Sequence, residues 1–271
     1  MNRNLIVLSC VAALMMGATG CNFLKARDNL NKGVQAYKSA KYPEAVALFQ
    51  KAVELSPNET MPHLYLATAY MSQYIPGAES PENLRMGENA YNEFQNVLKL
   101  DPKDELATAS IASLYFNQKK MDQAVEWNKK LIALNPKNKD AYYTLGVIAW
   151  TQWLVPQREA RNKSGMKPED PGPIKKKDVR EELKVKYRPM LDEGVANMQK
   201  ALDIDKEYDE AMAYMNLLIR YRADLDDTQD EYKKDIEQAD NYIQKALATK
   251  KIKNERQAKA GAGGITNDMA K

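Results

Sequence analysis

Cysteine and histidine are almost absent from this chain of 271 residues: Cys10 and Cys21 are its two cysteines and His63 its one histidine. Both cysteines fall within the first 21 residues, so no disulfide can staple the body together. The body likewise lacks the material for a cysteine–histidine metal site or a thiol nucleophile. No Ser-His-Asp set, glycine-rich phosphate loop or paired-cysteine motif is present. Excess charge is missing as well. Forty basic residues against 37 acidic ones leave a net charge of +3, too close to balance to mark a nucleic-acid binder. The carboxylate pairs Glu181-Glu182 and Asp226-Asp227 read as solvated charge on polar helix faces or ends. These absences point away from an enzyme, and toward a protein with neither metal nor cofactor. What the chain does have is 44% hydrophobic residues, enough to bury a core.

The amino terminus reads as an export signal. Arg3 precedes an apolar run from Leu5 to Met16 that ends in small residues and is too short to span a bilayer. The residues Ala18-Thr19-Gly20-Cys21 resemble a bacterial lipobox, in which small residues precede a cysteine that is diacylated on sulfur and becomes the mature N-terminus. Ala18 departs from that pattern, which most often has leucine three residues before the cysteine. The alternative is an ordinary signal peptide cut near Ala18 or Gly20. The resemblance implies a signal over 1–20, lipidation of Cys21, and a short tether over 21–25. Asn22 stands where aspartate retains lipoproteins in the inner membrane of Gram-negative bacteria. The expected address is therefore the periplasmic face of the outer membrane.

Beyond the anchor the chain repeats itself. Gly33 to Tyr37 precedes Tyr42-Pro-Glu-Ala45, which leads into Phe49, Ala52 and Pro57. The same ending returns as Ala90, Phe94, Val97 and Pro102, and again as Ala124, Leu131 and Pro136, the last two prolines standing 34 residues apart. Openings recur at Leu66 to Tyr70, Ile111 to Tyr115 and Leu145 to Ala149, and weaker endings at Met198 to Asp205 and Ile243 to Leu247. Small residues let paired helices approach closely, and proline closes the second helix. This pattern resembles the tetratricopeptide repeat, a 34-residue helix-turn-helix unit. The resemblance implies an all-α superhelical array, an α-solenoid, of about five repeats over 26–249, divided at 26–59, 60–104, 105–138, 139–208 and 209–249.

Departures from the period mark inserts in repeats two, four and five. Pro57 and Pro102 are 45 residues apart, with Pro76, Gly77 and Pro81 forcing a loop in the extra length. Ala201 and Ala246 are also 45 apart, and the stretch Arg220 to Thr228 is rich in helix formers, which predicts longer helices there. Repeat four carries the largest excess. Its segment 156–177 has four prolines, two glycines, seven basic residues and three acidic ones, and reads as a mobile basic loop of net charge +4. Helix is expected to restart near Asp178, with a kink or fresh start at Pro189. The tail, 250–271, lacks an apolar face and is expected to be disordered.

The resemblance implies a concave face lined by first helices, able to hold a peptide or partner helix. Its register places Tyr37, Tyr65, Met71, Phe116, Tyr143, Trp150, Tyr214 and Tyr221 on or near that face, interrupted by Asn31, Asn117 and Arg220. Tyr65, Tyr143, Trp150, Tyr214, Tyr221 and Arg220 are the candidate partner-binding residues. Space-filling between helices is the competing role for the aromatics. In the chaperone-binding subfamily a clamp of Lys, Asn and Arg grips a partner's terminal carboxylate. The corresponding residues here are Leu30, Val34, Tyr65, Leu106 and Ser110, which exclude that mode. His63 is expected to be a satisfied packing residue. The resulting expectation is a membrane-anchored scaffold or assembly factor whose partners are proteins; the alternative is a periplasmic carrier of a lipid or small apolar ligand.

Overall fold

The computed structural model describes residues 22–267, with side chains through Lys259; the signal over 1–20 and Cys21 lie outside the described residues. Among the described residues, ten α-helices follow one another as five pairs. These are α1 (residues 22–38) with α2 (Tyr42–Leu55), α3 (Thr60–Met71) with α4 (Pro81–Leu100), and α5 (Glu105–Asn117) with α6 (Met121–Leu134). Then come α7 (Lys139–Lys163) with α8 (Lys177–Ile204), and α9 (Asp209–Arg222) with α10 (Gln229–Asn267), a 3-10 turn over Ala223–Leu225 intervening. No strand occurs among the described residues. The helix pairs follow one another in the order of the repeats read from the sequence, with α1 beginning at residue 22 and α10 running on to Asn267, beyond the 26–249 expected for the array.

The chain divides into two compact units, one ending at Trp127 and one beginning at Asn128. In the first, the small residues of the repeat signature do the work expected of them. Ala45, Ala52 and Ala90 are fully buried beside Phe49, Phe94 and Val97. A Cβ on Gly33 would lie 2.5 Å from the Phe49 ring, so only glycine lets α1 and α2 approach this closely. The second unit repeats the device, a Cβ on Gly146 meeting Met198 at 2.6 Å. Met198 and Ala201 are again fully buried.

The turns between repeats share chemistry too. Asp101 and Asn135 each accept from the backbone N–H two residues on at 3.0 Å, and Asp104 and Asn138 then cap α5 and α7 at 2.7 and 3.0 Å. Short polar side chains satisfy donors that each helix start would otherwise leave unpaired. In repeat two, the loop forced by the prolines is held by Asn83, whose side chain bonds the Ile75 N–H and the Ile75 and Ala78 carbonyls.

Repeat four departs from the sequence expectation. Helix α7 does not stop at Pro156 but runs on to Lys163. A proline inside a helix costs about 3 kcal/mol. Here Trp153, Gln157, Ala160 and Arg161 form one buried face across it, and their packing holds the helix together. The segment that follows is not a mobile loop. Met166 is 3% exposed and Ile174 fully buried, and the Ile174 N–H donates to the Asp224 carbonyl at 3.0 Å. Arg161, read from sequence as part of a solvated basic run, is buried against Asp224. Helix α8 starts at Lys177 and passes through Pro189 unbroken.

The stretch in repeat five divides between both forms of structure. Helix α10 begins 17 residues before Ala246, whereas α2 begins ten before the matching Ala52, so the helix is lengthened as expected. The 3-10 turn and the link 226–228 take up the rest, pinned by Arg188 to Asp226 at 2.8 Å and Lys184 to Asp227 at 2.6 Å. Thr228 and Glu231 then form a reciprocal capping box at 3.2 and 3.1 Å. The stretch from residue 250, expected to lack order, is helix as far as Asn267. Lys253 pairs with Asp209 and Arg256 with Glu207 at 2.7 Å, contacts 44 and 49 residues apart that no local pattern reveals.

Candidate partner-binding site

Tyr143 and Trp150 are seven residues apart on α7, and Tyr214 and Tyr221 seven apart on α9. Seven residues are two helical turns, so each pair shares a face. The two pairs interleave as one column. Tyr214 meets Tyr143 at 5.5 Å and 87° and Trp150 at 5.6 Å and 83°, and Trp150 meets Tyr221 at 6.2 Å and 82°. Edge-to-face geometry of this kind sets the positive edge of one ring on the negative face of the next. All four rings are half-buried. Each thus both packs between the two first helices of this unit and keeps an open side. Burial pushes the Tyr143 hydroxyl up to about 12.

Tyr208 joins the column, 5.2 Å from Tyr143, and was missed in sequence because it precedes α9 and falls outside the helical register. Its hydroxyl donates to Asp140 at 2.8 Å, and the Lys139 ammonium lies 4.6 Å above its ring. Burial, followed by the bond to Asp140, raises its pKa.

At the other end, Tyr221 and Arg220 stand on a cavity of about 680 Å³ between the ends of α7 and α9, the start of α10 and the insert. Its floor is ionic. Asp224 accepts from Arg161 at 2.6 Å and Gln157 at 2.5 Å, and Arg161 also donates to the Lys167 carbonyl at 3.1 Å and to that of Asp170. Burial raises the Asp224 carboxyl, with the bonds from Gln157 and Arg161 pulling against it. Arg220 at the rim pairs with Asp240 of α10. The insert, through Pro168 to Pro171, supplies one wall. Sequence reasoning reached Tyr221 and Arg220 but not Gln157, Arg161 or Asp224, whose partnership spans more than 60 residues.

Tyr65 does not join this group. It belongs to the first unit, stacked on Phe49 at 5.5 Å and 23°. There it lines a smaller groove of about 350 Å³ with Phe23, Leu30, Val34 and Met61. Three of the positions that form the chaperone clamp, Leu30, Val34 and Tyr65, are thus apolar walls of that groove. Tyr37 is a packing residue, its hydroxyl 2.7 Å from Ser72 and its ring edge-on to Tyr42 at 5.4 Å. His63 is 6% exposed and bonded to Glu93 at 2.5 Å and the Pro57 carbonyl at 3.0 Å, the satisfied packing residue expected.

Residues 109–138, most of the third helix pair, match the family model of the tetratricopeptide repeat. Over 110 residues, 38% of this chain, the sequence is 34% identical to the Hsp70-Hsp90 organising protein of Plasmodium falciparum. The chain spans less than a fifth of the length of the curated relatives it matches. Among solved structures, MamA of Desulfovibrio magneticus RS-1 is similar over 84% of this chain and 96% of its own, with 18% identity and a TM-score of 0.55. YrrB, described as a TPR protein with an unusual peptide-binding site, is similar over 82% and 90%, with 13% identity and a TM-score of 0.50. The fold is that of a tetratricopeptide-repeat solenoid.

Proposed function

We propose that this protein is an exported scaffold or assembly factor, anchored by lipid on Cys21 to the periplasmic face of a bacterial outer membrane, that binds partner proteins along the first helices of its repeats. The observation that carries the binding reading is the column Tyr143–Tyr214–Trp150–Tyr221, four half-buried rings with an open side. Rings of this kind offer large, rigid contact area at little entropic cost, which is why aromatic residues dominate the energetics of protein interfaces. The repeat likeness supports a role in binding rather than catalysis. The polar lining of the larger cavity, with Arg158, Glu169 and Arg220 in it, weighs against an apolar cargo, which would desolvate those groups without offering them hydrogen bonds. Crosslinking in cells from a photoreactive residue at Tyr214, followed by identification of the captured proteins, tests the reading; labelling of lipid alone would refute it.

Replacing Tyr143 and Trp150 together by alanine is expected to abolish that capture while lowering stability less than truncation of the fully buried Trp153 does. Thermal melts beside the capture assay separate the two effects, and a melting loss as large as that of Trp153→Ala would assign both rings to the core. The anchor has its own test. Cys21→Ser should move the protein from the membrane to the soluble fraction, because two acyl chains hold where one is marginal. Equal recovery of both forms in the soluble fraction would remove the lipid from the account.

A further inference from the structure

Large apolar side chains are left open at the start of α1. Phe23 is 48% exposed and Leu24 67%, and Met61, at the start of α3, is 49% exposed. Phe23 and Met61 face one groove, so they form a patch, unlike the singly scattered apolar residues of an ordinary surface. Lys25 and Arg27 lie beside them, exposed and without an ion pair to any described residue, whereas Lys32 is neutralised by Asp28 at 2.7 Å. The described chain begins at Asn22, directly after Cys21.

We infer that this end of the first helix pair is a second membrane contact: Phe23, Leu24 and Met61 enter the interface of an anionic bilayer while Lys25 and Arg27 meet its headgroups. The location rests on the proposed lipidation of Cys21. Acyl chains embedded in a bilayer hold that residue at the interface, and Phe23 is two residues away, a reach of about 7 Å. With the chain tethered so closely, keeping Phe23 and Leu24 in water is the costlier arrangement, and adjacent free cations are attracted to anionic lipid. A single lipid signal and a small amphipathic contact reinforce each other, since the tether removes most of the entropic cost of the second contact.

The test removes the lipid and keeps the patch. The chain from residue 21 onward, carrying Cys21→Ser, is floated with vesicles of mixed phosphatidylcholine and phosphatidylglycerol. The parent is expected to bind, more weakly to phosphatidylcholine alone. Phe23→Ser with Leu24→Ser should lower the partition coefficient at least about tenfold, the factor that exposing one large apolar side chain implies. Lys25→Gln with Arg27→Gln should weaken binding and flatten its salt dependence. Leu24 is two-thirds exposed and Phe23 about half, so melting temperature should fall little; Leu24→Ser alone, at the more exposed position, gives the same reading if the double variant unfolds. Equal partition of parent and apolar variant, or no binding by the parent, overturns the inference. An unchanged partition with lost capture of a protein partner in cells overturns it too, and assigns the patch to that partner. Incorporation of labelled fatty acid at Cys21 in cells is read separately, so failure of the anchor and failure of the patch are distinguishable.

Discussion

Asp224→Ala is expected to lower stability by about 3–5 kcal/mol, the cost of leaving one member of a buried ion pair uncompensated. Asp224 is 3% exposed and Arg161 5%. The substitution strands a guanidinium that cannot shed its proton. Arg161→Ala should cost less, because Asp224, already raised by burial, can take up a proton instead. Chemical denaturation of the two single variants and of Arg161→Met with Asp224→Leu closes a double-mutant cycle. Full loss in the paired variant would show that the fold needs the charge itself and not the filled space. The pH dependence follows in sign. A carboxyl whose folded value is raised binds more protons in the native state, so its contribution to stability is present below the unfolded value and is lost as pH rises through the folded one. Asp224→Asn should remove that slope. The same geometry predicts that deleting the insert around 164–176 destabilises the protein, since Met166 and Ile174 would leave the core.

Trp153→Ala is expected to cost a similar amount, about 3–5 kcal/mol, since the side chain is fully buried and its removal leaves a cavity. Its ring lies 5.0 Å from Tyr187, and its indole N–H donates to the Tyr221 carbonyl at 2.9 Å. That bond gives the residue a second effect. It fixes the backbone at the end of the aromatic column, so Trp153→Phe, which keeps most of the volume, should still weaken partner capture while costing about 1–3 kcal/mol for the orphaned carbonyl. Melting curves and capture yields for the two variants check both parts. Wild-type capture by Trp153→Phe would show that the column does not depend on this support.

Trp150 and Trp153, three residues apart on one helix, show what a sequence can and cannot assign. The register implied by the repeat resemblance put Tyr143, Trp150, Tyr214 and Tyr221 on or near one face. Spacing could not say that Trp153 would be sealed while Trp150 kept an open side, because burial depends on what α8 and α9 bring against the helix. Tyr65 illustrates the same limit. Its register matched that of the others, yet it belongs to the other unit and to another groove.

The sequence by itself determined that the helices come in pairs and approach closely, because both rest on local physics: glycine and alanine where helices touch, aspartate and asparagine where they begin. The tertiary structure alone decided the fate of the segment after Pro156. Composition made it a solvated basic loop, since counting charges cannot see that Arg161 will be neutralised by an aspartate 63 residues further on. It likewise decided that α10 continues past residue 250, where Lys253 and Arg256 reach back to Asp209 and Glu207. Each of these outcomes is fixed by a pair of groups distant in the chain, and the free energy that orders such a pair appears only when the fold has brought them together.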